Sequence, residues 1–270
     1  MLGSDTIKYL RHDNYSANAY DLPECDITRH SDLERVVKGA DVVINCAAFT
    51  DVDDAETQED RAKAVNAIAV GVLGEIAKKQ GIFVLHVSTD FVFDGKSEKP
   101  YSEANIPAPI NTYGRTKLKG EELLIASGCQ CGIMRVQWSY GKNGKNFITK
   151  LIASAQAGNE LKVVNDQVGA PTWTADIARA ISCLIRSRCE GIYHFANKGY
   201  ASRFEVALFI AEQMQLKNSV VPCSSKEFST KALRPKNSRF DTSKIQAVLD
   251  YPIRHWQTAL LSFLEQGAPP

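Results

Sequence analysis

Short apolar runs alternate with amphipathic helical patterns along most of the chain. Four runs rich in Val, Ile, Leu and Phe have the length of buried strands, at 40–46, 82–87, 131–138 and 191–195. Apolar residues recur every three or four positions over 65–76, which predicts an amphipathic helix, and 112–124 and 175–186 are also predicted to be helical. This alternation predicts the α/β class, a doubly wound parallel sheet with helices on both faces.

The remaining segments are less regular and predict a second, smaller lobe. Residues 95–109 contain Pro100, Pro107 and Pro109, which predicts a loop beside the sheet. Loop-rich stretches with short helical patterns occupy 139–173 and 198–270. We therefore expect a dinucleotide-binding domain formed by 1–138 and 174–197, and a substrate lobe formed by 139–173 and 198–270.

Composition narrows the class of protein. The chain has 270 residues with a net charge of +1, which provides no electrostatic footprint for nucleic acid. No apolar stretch approaches the roughly 18 residues of a membrane span, and residues 1–5 lack the pattern of a signal peptide. The seven cysteines are scattered, as expected for reduced thiols, so we expect a cytoplasmic protein.

Clusters of potential metal ligands are weak in this sequence. Cys129 and Cys131 have no second Cys or His pair at zinc-ligand spacing. An acidic group follows the first strand and comprises Asp51, Asp53, Asp54 and Glu56. Acidic residues are favoured at helix N-termini by the helix dipole, so we interpret the group as a helix start, with a metal cluster as the alternative.

One pair of residues can form a proton-transfer device. Tyr113 and Lys117 stand four residues apart in a predicted helix, which places them on one face. A Lys ammonium beside the phenol would lower its pKa. Ser88 and Thr89 end the second predicted strand, and ligands bind at such carboxyl ends in open α/β sheets. The alternatives are a solvated surface pair at Tyr113 and Lys117 and a simple turn cap at Thr89.

Several runs, in order along the chain, extend this pattern. They are 45–56 (NCAAFTDVDDAE), 88–95 (STDFVFDG), 113–121 (YGRTKLKGE), 135–141 (RVQWSYG), 165–172 (NDQVGAPT) and 234–239 (RPKNSR). The chain thereby resembles the extended short-chain dehydrogenase/reductases, and more narrowly the dTDP-4-dehydrorhamnose reductases. This resemblance implies reduction of the C4 keto group of a nucleotide-linked deoxysugar in dTDP-rhamnose biosynthesis.

The resemblance also implies roles for individual residues. It assigns Tyr113 as the acid, Lys117 as the residue that holds the nicotinamide ribose, and Thr89 as a hydrogen-bond donor to the reacting oxygen. The cofactor, NADPH or NADH, is expected to contact Gly3, Asp26, Ile27, Ala47, Ala48 and Asn66 in addition to Tyr113 and Lys117. The substrate is expected to contact Ser88, Trp138, Asn146, Gln167 and Arg234. Mg²⁺ and a homodimer are further features that the family suggests.

Two other interpretations remain open. The regulatory subunit of methionine adenosyltransferase also resembles this family, so a non-catalytic binding protein on the same scaffold is the alternative function. The third is a truncated, inactive paralogue, because residues 1–3 resemble only the tail of a glycine-rich turn, with Gly3 as its last glycine and 4–10 as the helix that follows it. On this view the Rossmann fold is N-terminally incomplete. We expect a misassigned start rather than a natural truncation, and we expect the 270-residue chain alone to be poorly soluble or not to bind NAD(P)H.

Overall fold

Ten strands and eleven α-helices form within residues 1–228 and 230–266, the part of the chain that the computed structural model describes. The strands are β1 (Val42–Asn45), β2 (Phe83–Thr89), β3 (Cys131–Val136), β4 (Ser139–Tyr140), β5 (Leu161–Val164), β6 (Val168–Gly169), β7 (Thr172–Trp173), β8 (Gly191–Phe195), β9 (Ala201–Ser202) and β10 (Val220–Cys223). The helices are α1 (Leu2–His12), α2 (His30–Val37), α3 (Val52–Thr57), α4 (Glu59–Lys63), α5 (Ala69–Gln80), α6 (Thr112–Ala126), α7 (Phe147–Gln156), α8 (Thr174–Arg186), α9 (Arg203–Gln213), α10 (Ser243–Gln246) and α11 (Trp256–Glu265).

The central sheet has four parallel strands in the order β1-β2-β3-β8. All four were predicted from their apolar runs. The sequence predicted that the third strand ends at Trp138, but in the structure it ends at Val136. The reason is that Trp138 has a φ of 41°. A residue in the left-handed region cannot continue an extended strand, so the chain turns there and leads into the second lobe.

Helices cover both faces of the sheet, which confirms the predicted fold class. One apolar cluster joins α1 and α8 to alternate residues of β2, β3 and β8. A second cluster joins α2 and α5 to the other face, where Val84 and Ile133 are buried. Because a parallel strand is covered on both faces, it consists almost entirely of apolar residues.

The helix predicted over 65–76 is longer and less regular than its pattern. A π-helical segment, Ala64–Ile68, leads directly into α5. The helix ends where Gly81 takes a φ of 68°, a conformation that glycine adopts without strain. The first helix, predicted over 4–10, begins at Leu2, so Gly3 lies in a helical turn.

The second lobe has its own apolar cluster. Helices α7, α9 and α11 contribute to it together with residues of β5 and β7. The short strands of this lobe were not predicted, because two-residue strands leave no periodic signal in a sequence. The division into two domains stays a prediction, and residues 229 and 267–270 of the predicted lobe lie outside the described residues.

The described residues offer neither a membrane-spanning helix nor a cluster of metal ligands. No helix within 1–228 and 230–266 is both long enough and apolar enough to cross a membrane. The same residues contain no group of three or more His, Cys, Asp or Glu side chains arranged to hold a metal ion. The Mg²⁺ suggested by the family resemblance therefore has no support from the structure.

Candidate active site

A large cavity of about 1620 Å³ opens at the carboxyl ends of β1 and β2. Many residues singled out in the sequence line it, namely Gly3, Ile27, Ala47, Ala48, Ser88, Thr89, Tyr113, Lys117, Trp138, Asn146 and Arg234. Three others do not, namely Asp26, Asn66 and Gln167. The fold thus brings residues from both predicted lobes to one site, at the sheet edge where ligands bind in open α/β proteins.

Helix α6 places Tyr113 in its first turn, directly opposite the end of β2. The helix start is capped twice: Asn111 accepts from the Gly114 amide at 2.8 Å, and Glu56 accepts from the Thr112 amide at 2.7 Å. A side chain at position 114 would collide with the Phe91 carbonyl, so glycine permits the close approach of α6 to the β2 end. These contacts fix the Tyr113 ring beside the residues that follow β2.

Tyr113 is held in its protonated form. Burial raises the pKa of Tyr113 to about 12, and the charge of Asp90 adds to this effect. The Thr89 hydroxyl lies close enough to oppose it, which places the two hydroxyl groups at one spot. We expected Lys117 to lower the pKa of Tyr113; in the structure that pKa moves the other way. A phenol that stays neutral at physiological pH has a proton to donate.

Lys117 is buried at the base of the cavity and its ammonium group contacts the sheet. Its Nζ donates to the Val87 carbonyl at 2.8 Å and lies 3.2 Å from Nε2 of His86. Burial lowers the pKa of Lys117 to about 8, although the charge of Glu121 opposes the shift. This position explains why Lys117 does not act on the Tyr113 phenol: its polar contacts lie with β2, below the cavity.

A buried ionic network beneath the cavity was not recognised from the sequence. Arg135 on β3 donates to Glu121 on α6 from Nη2 at 2.6 Å and from Nε at 2.9 Å. The Ser88 hydroxyl also donates to Glu121, and His194 lies 3.4 Å from Arg135. Because its hydroxyl is engaged there, Ser88 serves the scaffold, and its predicted role in substrate binding has no support from this contact.

The residues predicted to contact the cofactor fall into two groups. Ala47 and Ala48 follow β1 and present small side chains to the cavity, where a flat ligand could approach the backbone. Asn66 is buried, and its side chain makes three internal hydrogen bonds, two with the Phe49 backbone and one to the Thr116 hydroxyl. It therefore fastens the 47–49 loop to α6, and because it lies outside the cavity lining its predicted contact with the cofactor has no support from the structure.

Asp26 is also engaged away from the cavity. Its carboxylate accepts from the amide and the hydroxyl of Thr28, and these hydrogen bonds lower its pKa. Its neighbour Ile27 does line the cavity. Contact of the adenine with Ile27 therefore stays a prediction, whereas the Asp26 side chain is committed to a local turn.

Two of the predicted substrate residues are engaged in the scaffold or lie away from the cavity. Asn146 caps α7 by accepting from the Thr149 amide at 3.1 Å, and its Nδ2 donates to the Gly141 carbonyl at 2.9 Å. Gln167 is buried outside the cavity lining, so a direct contact with substrate is not supported. Asn146 reaches the cavity with a side chain whose polar atoms are already paired.

The other two predicted substrate residues face the cavity but have protein partners there. Arg234 pairs with Asp53 at 2.5 Å, which lowers the pKa of Asp53 to about 2. Trp138 has the guanidinium of Arg203 3.9 Å from its ring centroid. One face of Trp138 is thus covered by Arg203, a residue that lies in none of the motifs recognised in the sequence. The substrate roles of Trp138 and Arg234 stay predictions.

The acidic group after β1 is a helix start, as interpreted from the sequence. Asp51 accepts from the amides of Asp53 and Asp54 and so caps α3. Glu56 reaches across to cap α6, and Asp53 pairs with Arg234. These carboxylates connect elements of the scaffold, which accounts for their proximity.

Comparison with known proteins identifies the family of this chain. The family model described as the RmlD substrate binding domain matches residues 1–268. A dTDP-4-dehydrorhamnose reductase of Mycobacterium tuberculosis is 36% identical over 275 aligned residues, which cover 99% of this chain and 90% of that protein. This chain belongs to the dTDP-4-dehydrorhamnose reductase family.

Other members of the reductase family extend the comparison. A dTDP-4-keto-6-deoxy-D-glucose reductase of Streptomyces niveus is 35% identical, covering 96% of this chain and 92% of that protein. The crystal structure of a dTDP-4-dehydrorhamnose reductase from Bacillus anthracis in complex with NADP superposes with a TM-score of 0.94 at 34% identity. The superposition covers 98% of this chain and 95% of that one. The Rossmann-like architecture of the family is therefore shared across both lobes.

Proposed function

We propose that this chain reduces the C4 keto group of a dTDP-linked 6-deoxysugar with NADPH or NADH. Its family makes it an NAD(P)-dependent oxidoreductase. The observation that carries the proposal is the convergence of Thr89, Tyr113 and Lys117 at one cavity, from β2 and α6. A protonated phenol beside a hydroxyl group suits a carbonyl oxygen that gains negative charge during reduction.

The chemistry of the chain's own residues follows from their protonation. Tyr113 holds a proton at neutral pH and transfers it to the C4 oxygen as that oxygen becomes an alkoxide. Thr89 lies beside Tyr113. Its hydroxyl, which donates to Oδ1 of Asp90 in the structure, turns to donate to the same oxygen when the substrate is bound and so orients that oxygen toward the phenol. When bound, the nicotinamide supplies the hydride that reaches C4 of the sugar, so one proton and one hydride convert the ketone into an alcohol.

The cavity fits a nicotinamide dinucleotide at its β1 side. Gly3, Ala47 and Ala48 present little or no side chain there, and the nearest atom to a Cβ built on Gly3 is 3.8 Å away. Lys117 is charged below a pH of about 8 and opens to the same cavity. We infer that it holds the ribose next to the nicotinamide, since an ammonium donates to sugar hydroxyls.

The named relatives leave the choice of sugar between two stereochemical classes. The Mycobacterium tuberculosis protein is named for 4-dehydrorhamnose, and the Streptomyces niveus protein for 4-keto-6-deoxy-D-glucose. Both sugars share the dTDP group, a 4-keto group and a 6-methyl group. The proposal therefore specifies the reaction and the features that both sugars share.

A direct assay tests the proposal. The purified chain is mixed with NADPH or NADH and dTDP-4-dehydrorhamnose, and the loss of reduced nicotinamide absorbance is followed. Equimolar formation of dTDP-rhamnose supports the assignment. Tight binding of the nucleotide sugar or cofactor with no turnover at any pH between 6 and 9 would favour the regulatory alternative.

A further inference from the structure

Two cysteine side chains meet at the amino end of β3, outside the cavity lining. Cys131 is the first residue of β3, and Cys129 lies in the short connection that joins α6 to this strand. The connection turns at Gly128, which has a left-handed φ of 70°. Both side chains pack against the apolar cluster that contains Leu124 and Ile133, so they lie on the same face of the sheet. Neither thiol is in a disulfide bond.

The backbone holds the two sulfur atoms near each other because a single residue separates them in a nearly extended segment. The Gln130 carbonyl accepts from the Val84 amide at 3.0 Å, so this segment already runs beside β2. Two residues of an extended chain span about 6.6 Å, which lies within the Cα separation of about 4.4–6.8 Å that a disulfide bridges. The Cys131 thiol lies close enough to donate a hydrogen bond to the Cys129 sulfur. A bond between them therefore requires little movement of the backbone.

The two thiols differ in exposure and in acidity. Cys129 is half-buried, and its amide donates to the Ser127 hydroxyl at 3.3 Å, whereas Cys131 is buried. The hydrogen bond between the thiols lowers the pKa of Cys129 and raises the pKa of Cys131. Burial and the charge of Glu190 oppose the shift at Cys129 without reversing it. Because the thiolate is the nucleophile in thiol chemistry, Cys129 is suited to attack first and Cys131 second.

A metal site and simple packing are the other uses of such a pair. Within the described part of the chain, no third His, Cys, Asp or Glu completes a set of metal ligands around it, and structural zinc requires four. Packing accounts for Cys131, because a buried cysteine behaves as a small apolar residue. It does not account for the half-exposed thiol of Cys129 in contact with it. The chemistry that fits both residues is that of a dithiol.

We propose that Cys129 and Cys131 form a reversible disulfide by exchange with a small-molecule disulfide of the glutathione type. The Cys129 thiolate attacks one sulfur of glutathione disulfide, which forms a mixed disulfide on Cys129 and releases one glutathione. The Cys131 sulfur then loses its proton and attacks Sγ of Cys129, which forms the internal bond and releases the second glutathione. The pair loses two electrons, the glutathione disulfide gains them, and the two thiol protons are balanced by those on the released glutathiones.

The short ring makes this exchange reversible. Only one residue lies between the two cysteines, and the Cα separation of an extended segment is at the upper end of the disulfide range. A strained disulfide is more easily reduced than a relaxed one, so excess glutathione should reopen it. Neither thiol lines the cavity, so the exchange does not depend on the proposed reduction of a keto sugar.

The experiment uses the position of the pair in the sequence. Trypsin releases both cysteines on one peptide, 120–135, which contains no other cysteine. The folded chain is equilibrated with about 10 mM glutathione disulfide and about 1 mM glutathione, treated with N-ethylmaleimide in denaturant, digested and analysed by mass spectrometry. More than about half of this peptide should then carry no maleimide and be lighter than the dithiol peptide by two hydrogen atoms. Incubation with excess glutathione should restore two maleimide groups.

The other five cysteines provide an internal control. Burial raises the pKa of each of them, so they should remain fully reactive with the maleimide after denaturation; they are Cys25, Cys46, Cys183, Cys189 and Cys223. Full alkylation of peptide 120–135 in the unaltered chain would overturn the proposal. Loss of alkylation spread evenly over all seven cysteines would overturn it as well.

Two serine variants test the order of attack. Cys131→Ser removes the second thiol, so one glutathione should remain attached to Cys129. Cys129→Ser removes the accessible thiol and should leave the buried Cys131 without glutathione. Urea unfolding of each variant checks that it is folded, and the unaltered chain tests the disulfide without either of them. Glutathione on Cys131 in Cys129→Ser, with none on Cys129 in Cys131→Ser, would overturn the assignment of Cys129 as the attacking thiol.

Discussion

The Nε2 atom of His86 lies 3.2 Å from the Nζ atom of Lys117, and the partners of both residues constrain where the proton lies. Asn45 accepts from the Ala47 amide through Oδ1, so its Nδ2 faces Nδ1 of His86 at 3.1 Å. Since Nδ1 then accepts, the neutral ring carries its hydrogen on Nε2 and donates to Lys117. This arrangement suits the neutral amine of Lys117 and, together with burial, opposes its protonation.

The first prediction concerns the pH dependence of cofactor binding. Burial lowers the pKa of Lys117 to about 8, so its charge is present below that pH and lost above it. Affinity for NADPH should therefore fall as pH rises through about 8. Lys117→Met should bind weakly at every pH, without this step. Fluorescence titration of NADPH between pH 6 and 10 measures both curves.

His86→Gln tests the contact between the ring and Lys117. The Gln amide oxygen can accept from the ammonium, so the step in affinity should move upward by about one pH unit, equivalent to about 1.4 kcal/mol. The neighbouring control Ser88→Ala changes a side chain that contacts Glu121 and should leave the step in place. An unmoved step in His86→Gln would show that burial alone sets the pKa of Lys117.

The second prediction concerns Tyr113. Removal of its hydroxyl in Tyr113→Phe should lower kcat at least about 100-fold, the lower range for general acid catalysis. The aromatic ring keeps its edge contact with Phe91, so folding and cofactor affinity should be retained. Because the pKa of Tyr113 is about 12, the loss of activity above pH 8 in the unaltered chain should belong to Lys117. Turnover that survives in Tyr113→Phe would exclude it as the acid.

The strands of the central sheet could be predicted from the sequence because doubly buried strands consist mostly of apolar residues, with few interruptions such as His86 and Arg135. The residues at the C-terminal end of β2 and the start of α6 could also be predicted, since Thr89, Tyr113 and Lys117 stand in recognisable sequence runs. The hydrogen-bond partners of the site residues could not be predicted. Asn66 forms hydrogen bonds with Phe49, 17 positions away, and with Thr116, 50 positions away. No local sequence pattern predicts such long-range contacts.

Arg203 and Glu121 are residues at the site that could not be selected from the sequence. Arg203 opens an ordinary amphipathic helix, so only the folded chain brings it to Trp138, 65 positions earlier in the sequence. Glu121 has the sequence environment of a solvated helix residue, yet tight packing of α6 buries it against Arg135. The positions of charges in the interior depend on packing between elements, which periodicity does not describe.

The third prediction concerns this buried pair. Glu121→Gln leaves the Arg135 charge buried without its counterion, which should lower the free energy of unfolding by about 3–5 kcal/mol. The matched control is Glu122→Gln on the same helix, whose partner Lys119 lies 3.0 Å away at the surface. That variant should change stability by less than about 1 kcal/mol. Equal effects in urea unfolding would mean that Arg135 finds another partner.

The fourth prediction concerns Arg234 and its partner Asp53. If Arg234 serves only to join α3 to the second lobe, Arg234→Ala and Asp53→Ala should have similar effects on stability and on KM. If it also binds the substrate diphosphate, Arg234→Ala should raise KM for the nucleotide sugar at least about tenfold more than Asp53→Ala does. Steady-state kinetics of both variants, with cofactor KM as the internal control, decide between the two roles.

The last prediction follows from the raised pKa of Asp90. Its folded-state pKa of about 6 exceeds the ordinary value of 3.8, so the folded chain binds more protons than the unfolded chain between these values. The contribution of Asp90 to stability is therefore favourable below about pH 4 and is lost as pH rises through 6. Asp90→Asn removes this titration, and its stability relative to the unaltered chain should rise by up to about 3 kcal/mol between pH 4 and 7.

Asp94→Asn should behave oppositely, because hydrogen bonds, chiefly from the Lys96 amide, lower the pKa of Asp94. Urea unfolding at both pH values measures the differences, and a pH-independent difference for Asp90→Asn would show that the pKa of Asp90 is not raised in the folded chain.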